Sequence, residues 1–292
     1  MAFVLTNLDA KLKAYLDANK MKLFVDSVAT NNETNWMSLM PGTRTDAPIV
    51  ILGLDAALQS GASCGFNAAD TDMSSRTVKV IPVKANYEWC ENDLLNTAFA
   101  SEFAKDDMAF EEKLSKMIVE KNTRALNELL YMGDTNNGDL YDGLVTLIAA
   151  DASITPINQS RTNYMDRIKD VYLAIDPKYA DNTVCLVSPV VYRNLVMELT
   201  DAKVLNYDYF VNGTTDEFTY PGTNLKIRQI QAMGQSTDII ATPEENIVYA
   251  CDFESDSMRV WFSEDNGTWR AEWLVTAGIN YAFSDRIVYD IA

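Results

Sequence analysis

Two runs in the first half of the chain are each long enough to cross a whole domain. The strand-like run Arg76 to Trp89 spans about 45 Å at about 3.3 Å per residue, which is comparable to the full width of a compact chain of 292 residues. The helical run Asp107 to Met132 spans about 39 Å and stops at Gly133, a residue typical of helix C-termini. The helix is therefore predicted to be a spine of the fold, and the strand run is predicted to project from the body.

The strand run is predicted to be one side of a long β-hairpin. Its other side is Pro48 to Leu54, and the polar, small-residue stretch Asp55 to Ser75 separates the two. Along the run the apolar residues change from one face to the other beside Pro82, which indicates a bulge or bend at that point.

The residues before the hairpin have two different patterns. Leu8, Leu12 and Leu16 recur at helical spacing and predict a short amphipathic helix. Val25 to Thr45 mixes asparagine, proline and glycine with isolated apolar residues and has no sustained period. This second stretch is predicted to be an extended arm without its own core.

The second half of the chain alternates short helices and strands. Thr162 is predicted to cap a helix that stops at Pro177, and Ser188-Pro189 is predicted to open another helix. Asp265-Asn266-Gly267 is predicted to form a tight type I′ hairpin turn. The predicted strands are Thr183 to Val187, Leu225 to Ile230, Ile239 to Ala241, Ile247 to Cys251, Met258 to Phe262, Thr268 to Tyr281 and Arg286 to Ile291.

The composition excludes several classes of function. The chain contains no histidine, which excludes Ser-His-Asp and Cys-His catalysis and His-ligated metal sites. Its 24 Lys and Arg residues against 42 Asp and Glu give a formal charge of -18, so tight binding of nucleic acid is not expected. An acidic container can still enclose nucleic acid, because contents that must slide need no attraction to the wall. No membrane-length apolar run and no leader pattern is found, so we expect a protein made in the cytoplasm with no membrane partner.

The residues that could carry chemistry have simpler interpretations. Gly133 to Gly143 is rich in Asp and Asn like a calcium loop, but no register supplies the required glycine and glutamate, so we predict a structural turn. The widely spaced cysteines are predicted to be buried free thiols. They are Cys64, Cys90, Cys185 and Cys251. No glycine-rich phosphate loop occurs. We therefore predict no catalytic, cofactor-binding or metal-binding residue.

The order of these parts resembles the major capsid proteins of tailed bacteriophages, which have the HK-ninety-seven-like fold. Three segments carry the resemblance: VKVIPVKANYEWCENDLLN, which leads into the spine helix, YMGDTNNGDLYDGL, which ends it, and the tail NIVYACDFESDSMRVWFSEDNGTWRAEWLVTAGINYAFSDRIVYD. The resemblance covers nearly the whole chain, as an architecture and a loose pattern. It implies an α+β fold.

The resemblance also implies a division into functional parts. These are an N-terminal arm (1–45), an extended loop formed by the long hairpin (46–89), a peripheral domain with the spine helix (90–142), an axial α/β domain (143–254) and closing strands of the peripheral domain (255–292). The turn at Asp265 is expected where three subunits meet. The expected subunit-interface residues are Arg76, Lys79, Lys84, Glu264, Asp265, Asn266, Gly267, Arg270 and Arg286.

The implied function is a non-catalytic shell protein. Copies of the chain are expected to form pentamers and hexamers of an icosahedral capsid around double-stranded DNA, located in the virion. A portal, a separate scaffold protein and a decoration protein are the expected partners. Two alternatives stay open on the sequence. One is an encapsulin-type compartment on the same fold, and the more distant one is a carboxylate-dependent hydrolase.

Overall fold

The computed structural model describes residues 33–34, 36–54, 71–90, 109–158, 161–203, 217–252, 257–263 and 265–291. The strands within these ranges are β1 (Ser38–Pro41), β2 (Ala47–Leu54), β3 (Thr71–Val78), β4 (Ile81–Cys90), β5 (Ile157–Asn158), β6 (Thr183–Val187), β7 (Glu217–Thr219), β8 (Lys226–Gln229), β9 (Ile239–Pro243), β10 (Ile247–Cys251), β11 (Ser257–Ser263), β12 (Thr268–Tyr281) and β13 (Val288–Ile291). The helices are α1 (Ala109–Met132), α2 (Leu144–Ala150), α3 (Tyr164–Ala174) and α4 (Pro189–Asp201). None of the helices in this part of the chain is long and apolar enough to cross a membrane.

A five-stranded sheet is built around the 14-residue strand β12. One edge of β12 pairs first with β11 and then with β10, both antiparallel, and the other edge pairs with β4 from Thr268 to Ala277. Strand β1 adds to β10 in parallel. The result is a long ribbon, β11-β12-β4, that continues into the broader part of the sheet.

A six-stranded sheet has the order β5-β13-β9-β6-β8-β7. Its central strands β6 and β9 are buried on both faces, which explains why they are continuous apolar runs in the sequence. Cys185 and Val187 face helices α3 and α4 on one side. Leu186 faces the other side and belongs to the largest core cluster together with Leu130 of α1 and Val275 of β12. The two sheets and helices α1 and α2 therefore share one core.

Two glycines at the end of α1 are required by a close crossing of the backbone. A Cβ on Gly133 would lie 2.4 Å from the carbonyl oxygen of Tyr141, and a Cβ on Gly143 would lie 2.6 Å from the carbonyl carbon of Tyr131. The amide of Gly143 donates to the carbonyl of Gly133 at 2.8 Å. The predicted helix end is confirmed. Gly133 has no positive φ, so glycine is required there because the backbone crossing leaves no room for a Cβ, and not because of a left-handed cap.

The predicted single strand from Arg76 to Trp89 is wrong, because the chain leaves the β2–β3 hairpin at Lys79 and Val80 and enters the five-stranded sheet as β4. This break between the two strands explains why the apolar residues change from one face to the other along the run. Val78 and Val80 are both buried against β10, whereas β4 turns its odd-numbered side chains toward the core. Only the β2–β3 hairpin can project; β4 is part of the body.

The N-terminal stretch was expected to lack a core, and in its described part this is wrong. Met37 is buried in the main core cluster, and β1 pairs with β10 from Ser38 to Pro41. Arg44 Nε donates to the buried Asp252 carboxylate at 2.6 Å. Residues 36–44 therefore belong to the body. The helix predicted at Leu8 to Leu16 lies outside the described residues.

The predictions for the helix caps, the last strand and the cysteines are confirmed in part. Ser188 caps α4 and Pro189 begins it, as predicted, but α3 is capped by Asn163 and not by Thr162. The last strand begins only at Val288, because residues 284–286 form a short 3₁₀ turn. Cys90 is exposed, against the prediction of buried thiols, while Cys185 and Cys251 are buried; Cys64 lies outside the described residues.

Candidate subunit interface

The ribbon β11-β12-β4 has one apolar and one polar face. Strand alternation places Trp273, Val275 and Ala277 on the apolar face, which packs into the main core. On the same face Tyr87 of β4 donates a hydrogen bond from its hydroxyl to Asn122 of α1. The ribbon is thereby fixed to the spine helix by one face, and its other face points away from the core.

The polar face carries two ion pairs across neighbouring strands. Lys84 Nζ lies 3.0 Å from Glu272 Oε1, and Arg270 Nη2 lies 3.0 Å from Glu88 Oε1. Hydrogen bonds from Thr268 and then Arg270 lower the pKa of Glu88. These pairs are largely open to solvent, so solvent screens them and they add little to the stability of the subunit. The face offers alternating charges that a neighbouring molecule can reach.

The turn between β11 and β12 is exposed and differs from the predicted type. Among the described residues of the turn, 265–267, only Gly267 has a positive φ, of 62°, and its amide donates to the carbonyl of Ser263 at 2.9 Å. A type I′ turn needs positive φ at two successive residues, so the prediction of that turn from Asn266-Gly267 is wrong. The exposed residues Asp265 to Gly267 nevertheless form the tip of the ribbon. Glu264 lies outside the described residues.

Arg76 was expected at a subunit contact, and the structure shows it joined to two other parts of its own subunit. Its Nη2 donates to Asp151 Oδ2 at 2.9 Å, and its guanidinium carbon lies 4.2 Å from the centre of the Tyr281 ring. The Tyr281 hydroxyl donates to the same carboxylate oxygen at 2.7 Å. Arg76 therefore ties strand β3 of the hairpin to the end of α2 and to the end of β12.

Lys79 lies at the junction between the hairpin and β4. Its side chain is exposed, and its charge helps to lower the pKa of Asp142, after the two hydrogen bonds that Asp142 accepts from Thr135. Its carbonyl oxygen crosses directly over Gly278 of β12, where a Cβ would lie only 2.1 Å away. The junction is therefore a point of backbone contact between the hairpin and the sheet.

Arg286 is not part of the same surface as the tip. Its guanidinium carbon lies 3.7 Å from the Phe283 ring centre and 4.5 Å from that of Tyr179. The tip and Arg286 lie beyond opposite ends of β12, which is about 43 Å long at about 3.3 Å per residue. Arg286 cannot neutralise the acidic tip of its own subunit.

The acidic turn after α1 uses its carboxylates within the turn. Asp134 accepts from the amide of Asn136 at 2.9 Å, Asp139 accepts from the amide of Asp134 at 2.9 Å, and Asp142 accepts from the amide of Thr135 at 2.9 Å. These hydrogen bonds are what the structural-turn prediction requires. Within the described ranges no group of three or more Cys, Asp or Glu side chains is placed to hold a metal ion.

The expected interface residues thus lie in three places. Lys84 and Arg270 lie on the polar ribbon face, which leads to the tip. Arg76 and Lys79 lie at the base of the hairpin, and Arg286 lies apart from both. Sequence reasoning missed Asp151, Tyr281 and Gly278. An isolated glycine inside a strand pattern signals a close backbone approach, so Gly278 could have been found; nothing local marks the other two.

No protein-family model and no curated protein matches the chain. Solved structures match it over most of its length. A chain from the procapsid of satellite phage P4, a structure that includes the size determination protein, is 10% identical with a TM-score of 0.67, and the match covers 98% of this chain and 97% of that chain. A chain from the capsid of a native GTA particle is 13% identical with a TM-score of 0.60, covering 88% of both chains. The chain has the fold of phage capsid proteins.

This capsid fold confirms the resemblance predicted from the sequence and its mixed α+β class. It is also similar to a virus-like particle from Pyrococcus furiosus, at 11% identity and a TM-score of 0.53, over 93% of this chain and 97% of that chain. At these identities the likeness concerns the fold.

Proposed function

We propose that this chain is the major capsid protein of a tailed bacteriophage, which assembles into an icosahedral shell around double-stranded DNA and is located in the virion. The observation that carries the proposal is the end-to-end match to a procapsid chain, which covers 98% of this chain and 97% of the other. A match that covers nearly all of both chains supports the same role for this chain. The acidic charge of -18 fits a container whose wall does not hold its contents tightly.

The finer assignment of parts belongs to the same proposal. Residues 1–45 act as the arm, 46–89 as the extended loop, 90–142 with 255–292 as the peripheral domain, and 143–254 as the axial domain. Two strand pairings bear on these proposed boundaries. Strand β4 lies in the sheet of β12, and β13 lies in the six-stranded sheet beside β9. The part of the loop that reaches a neighbour is therefore the β2–β3 hairpin.

The proposed contact surface combines the ribbon tip and the polar ribbon face. Asp265, Asn266 and Gly267 are exposed at the tip, and Arg270 and Lys84 follow on the polar face. Three copies meeting at the tip bring like charges together, and a cation from a neighbouring copy offsets their repulsion. Arg270 is the nearest described cation to the tip in sequence. We propose Glu264, Lys79 and Arg286 as further contacts with neighbouring copies.

The subunit acts by geometry and not by catalysis. A lack of histidine leaves carboxylate, lysine or thiol chemistry, and the acidic groups of the turn after α1 are engaged in hydrogen bonds of the turn. Pentamers and hexamers of the chain, with a portal, a separate scaffold and a decoration protein, complete the particle.

Expression of the chain alone and with a scaffold tests the proposal. We expect closed shells by electron microscopy and, from infected cells, particles whose DNA resists nuclease. A monomeric, compact protein under both conditions, with hydrolytic turnover abolished by one carboxylate substitution, would instead establish the hydrolase.

Cys90 provides a direct test of the tip contact. It is an exposed thiol paired in register with Thr268, beside the turn, whereas Cys185 and Cys251 are buried. In a Cys64→Ser background, a short thiol-specific crosslinker should give dimers from assembled shells and none after Cys90→Ser. Shells that give no Cys90-dependent crosslink would move the junction away from the tip.

An encapsulin-type compartment is the second candidate, favoured by the likeness to the virus-like particle. The contents of the purified shell decide between the two. Packaged DNA and one distinct vertex establish the phage capsid, and a protein cargo on the inner wall establishes the compartment.

A further inference from the structure

The β2–β3 hairpin meets the body along one face of β3. Arg76 and Val78 lie on the face toward the body, and the alternate residues Ser75 and Thr77 are exposed. Val78 packs in a small cluster with Val248 and Ala250 on the outer face of the five-stranded sheet. Ile49 of β2 packs against the same cluster, and Asn280 donates to the carbonyl of Thr77 at 2.8 Å, so the base of the hairpin is held by apolar contacts and one hydrogen bond.

Arg76 extends the anchored region by a further two residues along β3. Its guanidinium donates to Asp151 at 2.9 Å and stacks on the ring of Tyr281 at 4.2 Å. An ion pair and a stacked ring from different directions fix both the position and the plane of a guanidinium, which a lysine cannot match.

The two partners of Arg76 are themselves held firmly. Asp151 accepts hydrogen bonds from the amide and hydroxyl of Ser153, at 2.9 and 2.6 Å, and from the hydroxyl of Tyr281 at 2.7 Å. These bonds keep the pKa of Asp151 well below its usual range, with the Ser153 hydroxyl the largest cause. Tyr281 is fully buried at the end of β12. Asp151 and Tyr281 therefore present fixed contact positions to the guanidinium of Arg76.

We propose that Arg76, inserted between Asp151 and Tyr281, is a latch that fixes the direction of the β2–β3 hairpin in the free subunit, before any neighbour is present. The proposal rests on the proposed function for its purpose, since a hairpin that must contact another copy loses less entropy on assembly when it is already oriented. The latch itself is a property of one subunit. Arg76 is a positioning residue that acts through the hairpin.

The test measures the hairpin in dilute, unassembled subunits. Spin labels are placed on Val50→Cys, which replaces an exposed residue of β2, and on Met197→Cys, which replaces an exposed residue of α4. The background is Cys64→Ser with Cys90→Ser, and the remaining cysteines are buried. Pulsed electron–electron double resonance then gives the distribution of distances between the label on the hairpin and the label on the body.

We expect a single narrow distribution in the parent and a broad one in Arg76→Gln. Hydrogen exchange of the β3 amides should become about tenfold faster, which corresponds to the loss of one charge-assisted hydrogen bond. The matched control is Arg161→Gln, which removes another arginine–aspartate pair, with Asp170 at 2.8 Å, and should change neither quantity.

Unchanged width and exchange in a folded Arg76→Gln would overturn the latch. If Arg76→Gln does not fold, Tyr281→Phe removes only the hydroxyl that orients Asp151, and faster β3 exchange is expected; an unaltered rate refutes the proposal. These results are separate from the proposed function. Failure of the parent to form shells would overturn the capsid assignment and leave the distances readable.

Discussion

Replacing Gly278 by alanine should destabilise the subunit at the crossing of the hairpin over the sheet. The added Cβ would lie 2.1 Å from the Lys79 carbonyl oxygen, 3.0 Å from the Lys79 carbonyl carbon and 3.2 Å from the Val80 Cα. All three are backbone atoms, so no flexible side chain can move aside. The carbonyl oxygen alone is about 1.3 Å short of ordinary van der Waals contact.

The cost follows from what must shift. Gly278 is paired with Ala250 inside the sheet, so the junction of the hairpin has to give way. Its displacement weakens two anchoring hydrogen bonds, from Asn280 to the carbonyl of Thr77 at 2.8 Å and from the amide of Val80 to Asp46 at 3.0 Å. Overpacking of this kind costs about 2–3 kcal/mol, which for a chain of this size lowers the melting temperature by about 4 °C.

The assay compares thermal unfolding of unassembled Gly278→Ala and Gly222→Ala subunits. At Gly222 a Cβ meets no atom within 4 Å, and only its positive φ of 81° is unfavourable, at a cost of about 1 kcal/mol. Gly278→Ala should therefore melt at a lower temperature than Gly222→Ala, and the amides of Val78 and Val80 should exchange faster. Equal or smaller destabilisation by Gly278→Ala would show that the crossing is not tight in solution.

Three further results are expected. Asp290→Ala should lower the free energy of unfolding in urea by about 3–5 kcal/mol, because Arg167, 2.6 Å away and buried, keeps its charge without a counterion; a loss below that of Arg161→Gln would contradict this. Asp142→Asn should lower the melting temperature at neutral pH. Because hydrogen bonds lower the pKa of Asp142, its contribution is present above the ordinary value of 3.8 and is lost as the pH falls further, so the two melting temperatures should converge in acid. Gly267→Val should lower the yield of shells by a larger fraction than the yield of folded, unassembled subunit. An unchanged yield of shells would show that the tip is not part of the contact.

Local patterns were sufficient to predict much of the secondary structure. Helix α1 and strand β12 follow from hydrophobic periodicity, and α4 follows from its Ser188 cap, because each depends on neighbours in sequence. The order of long elements was enough to predict the capsid fold. Identity to the structures that share it is only 10% to 13% for the two phage-related particles described above, so the arrangement is encoded in pattern more than in particular residues.

The incorrect predictions concern choices between distant partners. The sequence pattern predicts one strand from Arg76 to Trp89. The strand is divided because β4 pairs with β12, which lies almost 200 residues away in sequence. Arg76 meets Asp151 across 75 residues, and Asp151 meets Tyr281 across 130. Each of these residues has an ordinary local context, so its role follows only from the folded arrangement.

The placement of charge pairs separates what is fixed within the subunit from what is left for assembly. Asp290 holds Arg167 in a buried pair, which a neighbouring copy could break only at a large cost. Asp151 holds Arg76 in a partly buried pair that hydrogen bonds from Ser153 and Tyr281 keep in place. Lys84 and Arg270 hold their partners on an exposed face, where exchange of one carboxylate for another costs little. A subunit with a charge of -18 must bring cations to each contact with its copies. On the proposed capsid function, we expect the exposed Lys84 and Arg270, on a ribbon fixed to the spine helix, to supply these cations while the buried pair of the subunit stays intact.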